Sequence, residues 1–127
     1  MRNIKFRAWD NLEKRMRKVV SLHWRDDKII SARLEGDNEP IPVNGRLAIS
    51  WCTGAIDTKA KDIFQDDWIL YRKHIYLVIF DGVAFRVTDI NDLSKSTAKL
   101  LSDIYSPECE VVGNLYTGSR LLGEVKK

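Results

Sequence analysis

Apolar and polar residues alternate with a period of two along much of this chain, the spacing that sends successive side chains to opposite faces of a β-strand. In residues 4–9, Ile4, Phe6 and Ala8 share one face and Lys5, Arg7 and Trp9 the other, which predicts a half-buried strand. Residues 10–14, with Asp10 and Asn11, read as a turn. Residues 16–22 form a second strand, so the two make an N-terminal hairpin, and residues 28–34 offer a third. Two prolines and two glycines without a sustained period mark 35–45 as a loop. Alternation resumes over 46–51, with Leu47, Ile49 and Trp51 on one side.

The strongest strand signals lie between residues 68 and 87. Residues 68–71 form one strand, Arg72-Lys73-His74 a short connection, and 75–80 an uninterrupted apolar run. The Asp81-Gly82 pair then predicts a hairpin turn into a strand over 83–87. Because both faces of 75–80 are apolar, this strand belongs at the centre of the core. One amphipathic helix is expected where Leu93, Thr97, Leu100, Leu101 and Ile104 recur at helical spacing. Asn91 or Ser94 would cap it, Lys95 and Lys99 would point outward, and Pro107 would stop it. Residues 110–116 read as a closing strand. The expected fold is mainly β (a β-rich α+β arrangement), with a small barrel-like antiparallel sheet, an N-terminal hairpin and one helix. A chain of 127 residues makes one domain the simplest organisation. Within it, 1–35 would hold the hairpin, 35–45 a flexible loop and 46–122 the barrel-like core.

Composition narrows the class. An apolar share of 44% beside a charged share of 31% is that of a folded globular protein. No apolar run reaches the roughly 18–20 residues of a membrane-spanning helix. The N-terminus lacks the apolar core and small-residue cleavage site of a signal peptide, so a cytoplasmic location is expected. Cys52 and Cys109 are too few for a disulfide framework and form no Cys-x-x-Cys pair, and read as free thiols. A net charge of +3 is mildly basic, short of the one-signed surface that marks a dedicated nucleic-acid binder.

No catalytic constellation is evident. Cys52 and His74 are a nucleophile and a base on paper, but no nucleophile-elbow glycines surround them. His23 with Asp26 and Asp27, and the Asp66-Asp67 pair, lack the spacing of a zinc or calcium loop. Gly113 and Gly118 stand alone, outside any phosphate-cradling motif. The expectation is therefore no enzyme activity, no cofactor and no bound metal. The basic residues offer a candidate binding patch instead. Lys14, Arg15, Arg17 and Lys18 cluster at the first hairpin, with Arg7 and Trp9 on the strand beside it. Cations next to an aromatic ring can hold a nucleic-acid backbone and stack a base, although Asp10, Glu13, Asp26 and Asp27 lie close enough to cancel part of the field.

Three segments in order carry a family resemblance. Phe6 to Asp10, with Trp9 between them, is similar to the opening motif of the YopX-like proteins of bacteriophages and prophages. The stretch from Thr53-Gly54 through Asp57 and Phe64 to Asp67 and Trp68 resembles their central motif, and Gly113-Asn114 with Tyr116 their closing one. Ala60 and Asp66 stand where the family usually has glycines, and Ala60 would be strained if its turn needed a positive φ. The resemblance implies a mainly β fold with a partly SH3-like barrel and no established activity. Its motif residues read as structural: Thr53-Gly54 and Asp57 as turn formers, Phe64 and Trp68 as core aromatics, Gly113 as a point of close strand approach.

The function that follows is that of a phage or prophage accessory protein acting by binding a protein partner or itself in a homo-oligomer. Nucleic-acid binding through the basic and aromatic hairpin face is the alternative. No membrane or small-molecule partner is expected. The four tryptophans and four tyrosines supply anchors for an interface.

Overall fold

The computed structural model describes residues 5–91, 98–101 and 108–119. Among them the chain forms β1 (Phe6–Asp10), β2 (Arg15–Arg25), β3 (Lys28–Leu34), β4 (Ile41–Pro42), β5 (Leu47–Ile56), β6 (Asp62–Phe64), β7 (Asp67–Tyr71), β8 (His74–Phe80), β9 (Phe85–Asp89), β10 (Lys99–Leu100), β11 (Glu110–Asn114) and β12 (Gly118–Ser119). All pairings are antiparallel. One sheet has the order β4-β3-β2-β1-β5-β6, the other β10-β9-β8-β7-β11-β12. The chain divides into two compact units, Met1–Trp51 and Cys52–Lys127, with the division inside β5.

In the N-terminal unit the alternation of β1 determines what is buried. Directly opposed residues of paired strands share a face. Ala8 lies opposite Arg17 on β2 and Ile49 on β5, and Asp10 opposite Leu47. Ala8, Ala32, Leu34 and Leu47 are the buried apolar residues here, with Val19, Leu22, Ile41, Val43 and Ile49 packed against them. Of the expected side of 46–51, Leu47 is buried and Ile49 packs against the core, whereas Trp51 is exposed. β2 and β3 meet at a two-residue loop, Arg25 opposite Lys28, where Asp26 and Asp27 both take positive φ (49° and 67°). That is the requirement of the type I′ turn, whose twist matches that of the strands.

The C-terminal unit is built on β8, which lies between β7 and β9. Its continuous apolar run serves both faces of the sheet. Val78, opposite Val87, packs with Ile63, Ile69, Leu101 and Cys109 on one side. Ile75, opposite Leu70, packs with Trp68 and Leu77 in a second cluster. Each such side chain, once buried, contributes about 1.5–3 kcal/mol. The Asp81-Gly82 hairpin forms with a four-residue loop: Phe80 pairs Phe85, and Asp81 N–H donates to the Ala84 carbonyl at 3.2 Å.

Two expectations are corrected. Among the described residues neither sheet closes into a barrel, because the second sheet ends in the two-residue strands β10 and β12, which pair only inward. The barrel-like and SH3-like architecture gives way to two open antiparallel sheets. The helix expected over 93–104 is not present in its described part, 98–101. There Lys99 pairs Val87 and Leu100 pairs Arg86, while Leu101 is buried in the core. The edge of β9 supplies backbone partners, and burial of Leu101 satisfies an apolar position that the pattern assigned to a helix face. The rest of the expected helix lies outside the described residues.

Candidate interaction surface

The N-terminal hairpin is organised by a buried charge. Asp10 ends β1 on its core-facing side and is fully buried. A carboxylate taken from water is held ionised only by close cations and donors. Arg46 supplies a two-point contact, Nε to Oδ1 and Nη2 to Oδ2, both at 3.0 Å. The Leu12 and Glu13 backbone N–H groups donate to Oδ1 at 3.0 and 3.3 Å, closing the turn into β2. Arg17, only 7% exposed, reaches Oδ2 at 3.4 Å through Nη1 and Asp37 Oδ1 at 2.8 Å through Nη2. The Arg46 guanidinium, aided by the two turn amides, holds the Asp10 carboxyl well below the usual carboxylate range.

This arrangement divides the six residues of the expected basic and aromatic patch. Arg7 and Trp9 lie opposite Lys18 and Met16, so Arg7, Trp9 and Lys18 share one face. Arg15 and Arg17 lie opposite Asp10 and Ala8, on the other. Arg17 is committed to Asp10 and Asp37, and Arg15 pairs with Glu13 at 2.8 Å. Lys14 donates to Asn11 Oδ1 at 2.7 Å from a turn where its φ is 56°. The six do not form one surface.

Beyond Lys18 the character of β2 changes. β1 pairs only with residues Arg15 to Lys18, and the strand then runs on to Arg25 beside β3. Val20 is 49% exposed and Trp24 54%. A groove of about 290 Å³ lies along this stretch, lined by Phe6, Val19, Val20, Ser21, Leu22 and Trp24. The hairpin ends in the exposed charges Arg25, Asp26, Asp27 and Lys28. Trp24, one of the four tryptophans expected to anchor an interface, lies outside the basic patch expected of this hairpin; its own signal is an aromatic in a strand next to a four-charge turn.

The residues of the family-like motifs take structural positions. Phe6 meets Trp51 edge-on, 5.8 Å between ring centres. Thr53 and Gly54, expected in a turn, instead sit within β5 at an irregularity between Cys52 and Ile56. The Thr53 hydroxyl donates to the Ile63 carbonyl at 2.8 Å and accepts from Ala55 N–H, and Gly54 takes a φ of 85° that an L-residue resists. Asp57 does form the turn: Oδ1 accepts from the Lys59 and Lys61 amides at 2.8 Å, and Oδ2 from Val111 N–H at 2.9 Å. Burial opposes its ionisation, but those three amides outweigh it and lower its pKa. Asp67 is buried and accepts from Phe64 N–H at 2.7 Å, while Phe64 itself is half-buried at the end of β6. Trp68 is buried, as a core aromatic should be. Gly113 stands at a register shift of β11, opposite Trp68. Asn114 Oδ1 accepts from the Tyr116 and Thr117 amides at 2.9 Å, and the Tyr116 hydroxyl donates to Asp66 Oδ2 at 2.9 Å.

The residues weighed for chemistry are spread out. His74 is exposed, 3.6 Å from Asp89, and Cys52 is a half-buried free thiol on β5. Burial, with Glu108 and Asp57 nearby, pushes the Cys109 thiol up to about 11. Among the described residues no group of three or more His, Cys, Asp or Glu side chains could hold a metal ion, and no helix is long and apolar enough to cross a membrane.

The fold defines a class: a mainly β protein of two compact units with a charge-tied N-terminal hairpin. A family model described as YopX protein matches residues 5–123, so the chain belongs to the YopX family. Among solved structures it is similar to protein EF1440 from Enterococcus faecalis, with a TM-score of 0.70 and 20% identity over 96% of this chain and 99% of that one. That likeness shows a shared fold. No curated protein matches the sequence.

Proposed function

We propose that this protein acts by binding another polypeptide through the outer part of the β2–β3 hairpin, as a phage or prophage accessory protein of the bacterial cytoplasm, and not by catalysing a reaction. The observation that carries this reading is that exposed Val20 and Trp24 line one groove together with Phe6, Val19, Ser21 and Leu22. Exposed apolar surface rimmed by charge marks protein interfaces, and tryptophan is among the residues enriched at their centres. The arrangement of the buried polar groups supports the same reading, since Asp10, Asp57 and Asp67 each accept amide donors that close turns.

A photo-crosslinking residue in place of Trp24, used in cells, tests it. A crosslink to any polypeptide is expected, with loss of the crosslinked band when Val20 is changed to Glu. A protein that yields no crosslink at this position, while remaining folded, would count against the reading. A second reading, binding of single-stranded nucleic acid, rests on Trp24 standing next to Arg25 near Lys28, all exposed. It predicts a mobility shift with single-stranded DNA or RNA at low salt that fades as salt is added.

A further inference from the structure

We propose that Asn44 is a modification site, where the folded chain converts itself to isoaspartate without an enzyme, and that the conversion weakens the hold of Arg46 on Asp10. Of the six asparagines only Asn44 precedes a glycine. Asparagine is a labile residue, because the backbone nitrogen that follows it can attack its side-chain amide. Glycine in the next position leaves that nitrogen unshielded by a side chain of its own.

The structure leaves both reacting groups free. Residues 43–46 turn the chain from β4 into β5, and Gly45 takes a φ of 77°. The Val43 carbonyl accepts from the Arg46 and Leu47 amides at 3.0 and 2.9 Å, so the hydrogen bonds of the turn bypass the Gly45 N–H. Among the described residues, neither that N–H nor the Asn44 side chain makes a hydrogen bond. Both residues are exposed. Apart from its chain neighbours, nothing lies within 4 Å of where a β-carbon on Gly45 would stand. A bonded or buried amide must open before it can react, and this one need not.

The Gly45 nitrogen, its proton lost to solvent, bonds to Cγ of Asn44. The bond from Cγ to the side-chain nitrogen breaks, and ammonia leaves with a proton from water, closing a five-membered succinimide. Water then opens the ring at one of its two carbonyls. Opening at the side-chain carbonyl gives aspartate in an ordinary chain. Opening at the main-chain carbonyl gives isoaspartate, whose chain runs through the side chain and is one atom longer. In sum, asparagine and one water give isoaspartate or aspartate and one ammonia.

The extra atom falls where the turn sets the position of Arg46. That residue touches the first hairpin three ways: its guanidinium meets Asp10 at two points, both 3.0 Å, and its carbonyl accepts from Asn11 N–H at 2.8 Å. Isoaspartate widens the ring closed by the Val43 carbonyl and the Arg46 amide. It also leaves a free carboxylate two residues from Arg46, which competes with Asp10 for the guanidinium.

Ageing the purified chain at mildly alkaline pH, native and in concentrated urea, tests the proposal. Peptide mass spectrometry follows the gain of one mass unit, and an isoaspartate methyltransferase assay separates the two products. The native chain should react first at Asn44, within about a hundredfold of the rate in urea, whereas a reaction that waited for unfolding would be slower by roughly 10³ or more. Isoaspartate should form alongside aspartate, and N44S, which lacks the amide carbon, should form neither at this position. The isoaspartyl form, purified by ion exchange, should melt about 3 °C or more below the fresh chain. Its Leu12 and Glu13 amides, which donate to Asp10, should exchange hydrogen about tenfold faster, with β7 to β9 unchanged. A native rate more than a hundredfold below that in urea, or aspartate without isoaspartate, would overturn the site. An isoaspartyl form that melts and exchanges like the fresh chain would overturn the link to Arg46 and Asp10.

Discussion

Two residues of the same backbone conformation illustrate how differently a side chain can use it. Ala60 and Asp66 both take positive φ, 62° and 73°, in short connections of the C-terminal unit. The left-handed region costs an L-residue roughly 1–2 kcal/mol, and glycine escapes that cost at some loss of chain entropy. Ala60 is exposed and gives nothing in return, so A60G should raise stability by about 0.5–1 kcal/mol in urea denaturation. Asp66 accepts the Tyr116 hydroxyl, and its backbone amide donates to the Val78 carbonyl at 2.8 Å. D66G keeps the backbone bond but loses the carboxylate, and a hydrogen bond to a charged group contributes about 1.5–3 kcal/mol, so this substitution should lower stability by about 1 kcal/mol. Opposite signs at two positions of one conformation are the expected outcome; equal signs would show that φ alone decides. Asp10 is the residue that sequence reading placed least well. It was legible as the head of a turn and as a motif position, and both hold. Its burial was not, because the partners that make burial tolerable, Arg17 and Arg46, are 7 and 36 residues away.

At the scale of the element, legibility followed length. The stretch 28–34 was read to the residue, and β7, β8 and β5 began within a residue of their expected positions, since each is long enough to show an alternation or a sustained apolar run. β4, β6, β10 and β12 have two or three residues and show none; backbone pairing to a longer neighbour forms them. Leu100 and Leu101 matched a helical spacing because any apolar pair four residues from another does. The β9 edge decided between strand and helix. The two-residue loops make a prediction of their own. Arg72 and Lys73, like Asp26 and Asp27, both have positive φ between directly opposed strand ends. Aspartate tolerates this region and lysine does not. K73G should therefore stabilise the β7–β8 hairpin by about 0.5–1 kcal/mol, and D27G the β2–β3 hairpin by less, both read as shifts of the thermal midpoint.

The two compact units have cores of different make-up, and this determines how the whole molecule should respond to acid. The N-terminal core consists of two alanines and two leucines and leans on the Asp10 ion cluster. The C-terminal core has Ile63, Ile69, Val78, Val87 and the Trp68–Ile75 cluster. Asp10 has a folded-state pKa far below that of an unfolded aspartate, near 3.9, and Asp57 is lowered as well. A carboxyl with a depressed folded pKa stabilises the native state fully above the unfolded value. That contribution is lost as pH falls below it, because the unfolded chain then binds protons that the native one refuses. Stability should thus be nearly flat from pH 8 to about 5 and decline steeply below about 4. Removing Asp10 separates the units. D10A removes the buried anion between Arg17 and Arg46, but Arg17 keeps Asp37 and both keep Glu13, so it should cost about 1–3 kcal/mol. D10N keeps an oxygen for the Leu12 and Glu13 amides, and should cost less while losing the titration. Hydrogen exchange read strand by strand locates the effect. In D10N the protection of β1, β2 and β3 should be lower at pH 7 and less dependent on pH between 5 and 3, while β7, β8 and β9 keep the wild-type response. If the acid limb of β1 to β3 is unchanged in D10N, Asp10 is not the group whose protonation opens this unit, and the cluster around it stabilises the hairpin only through geometry.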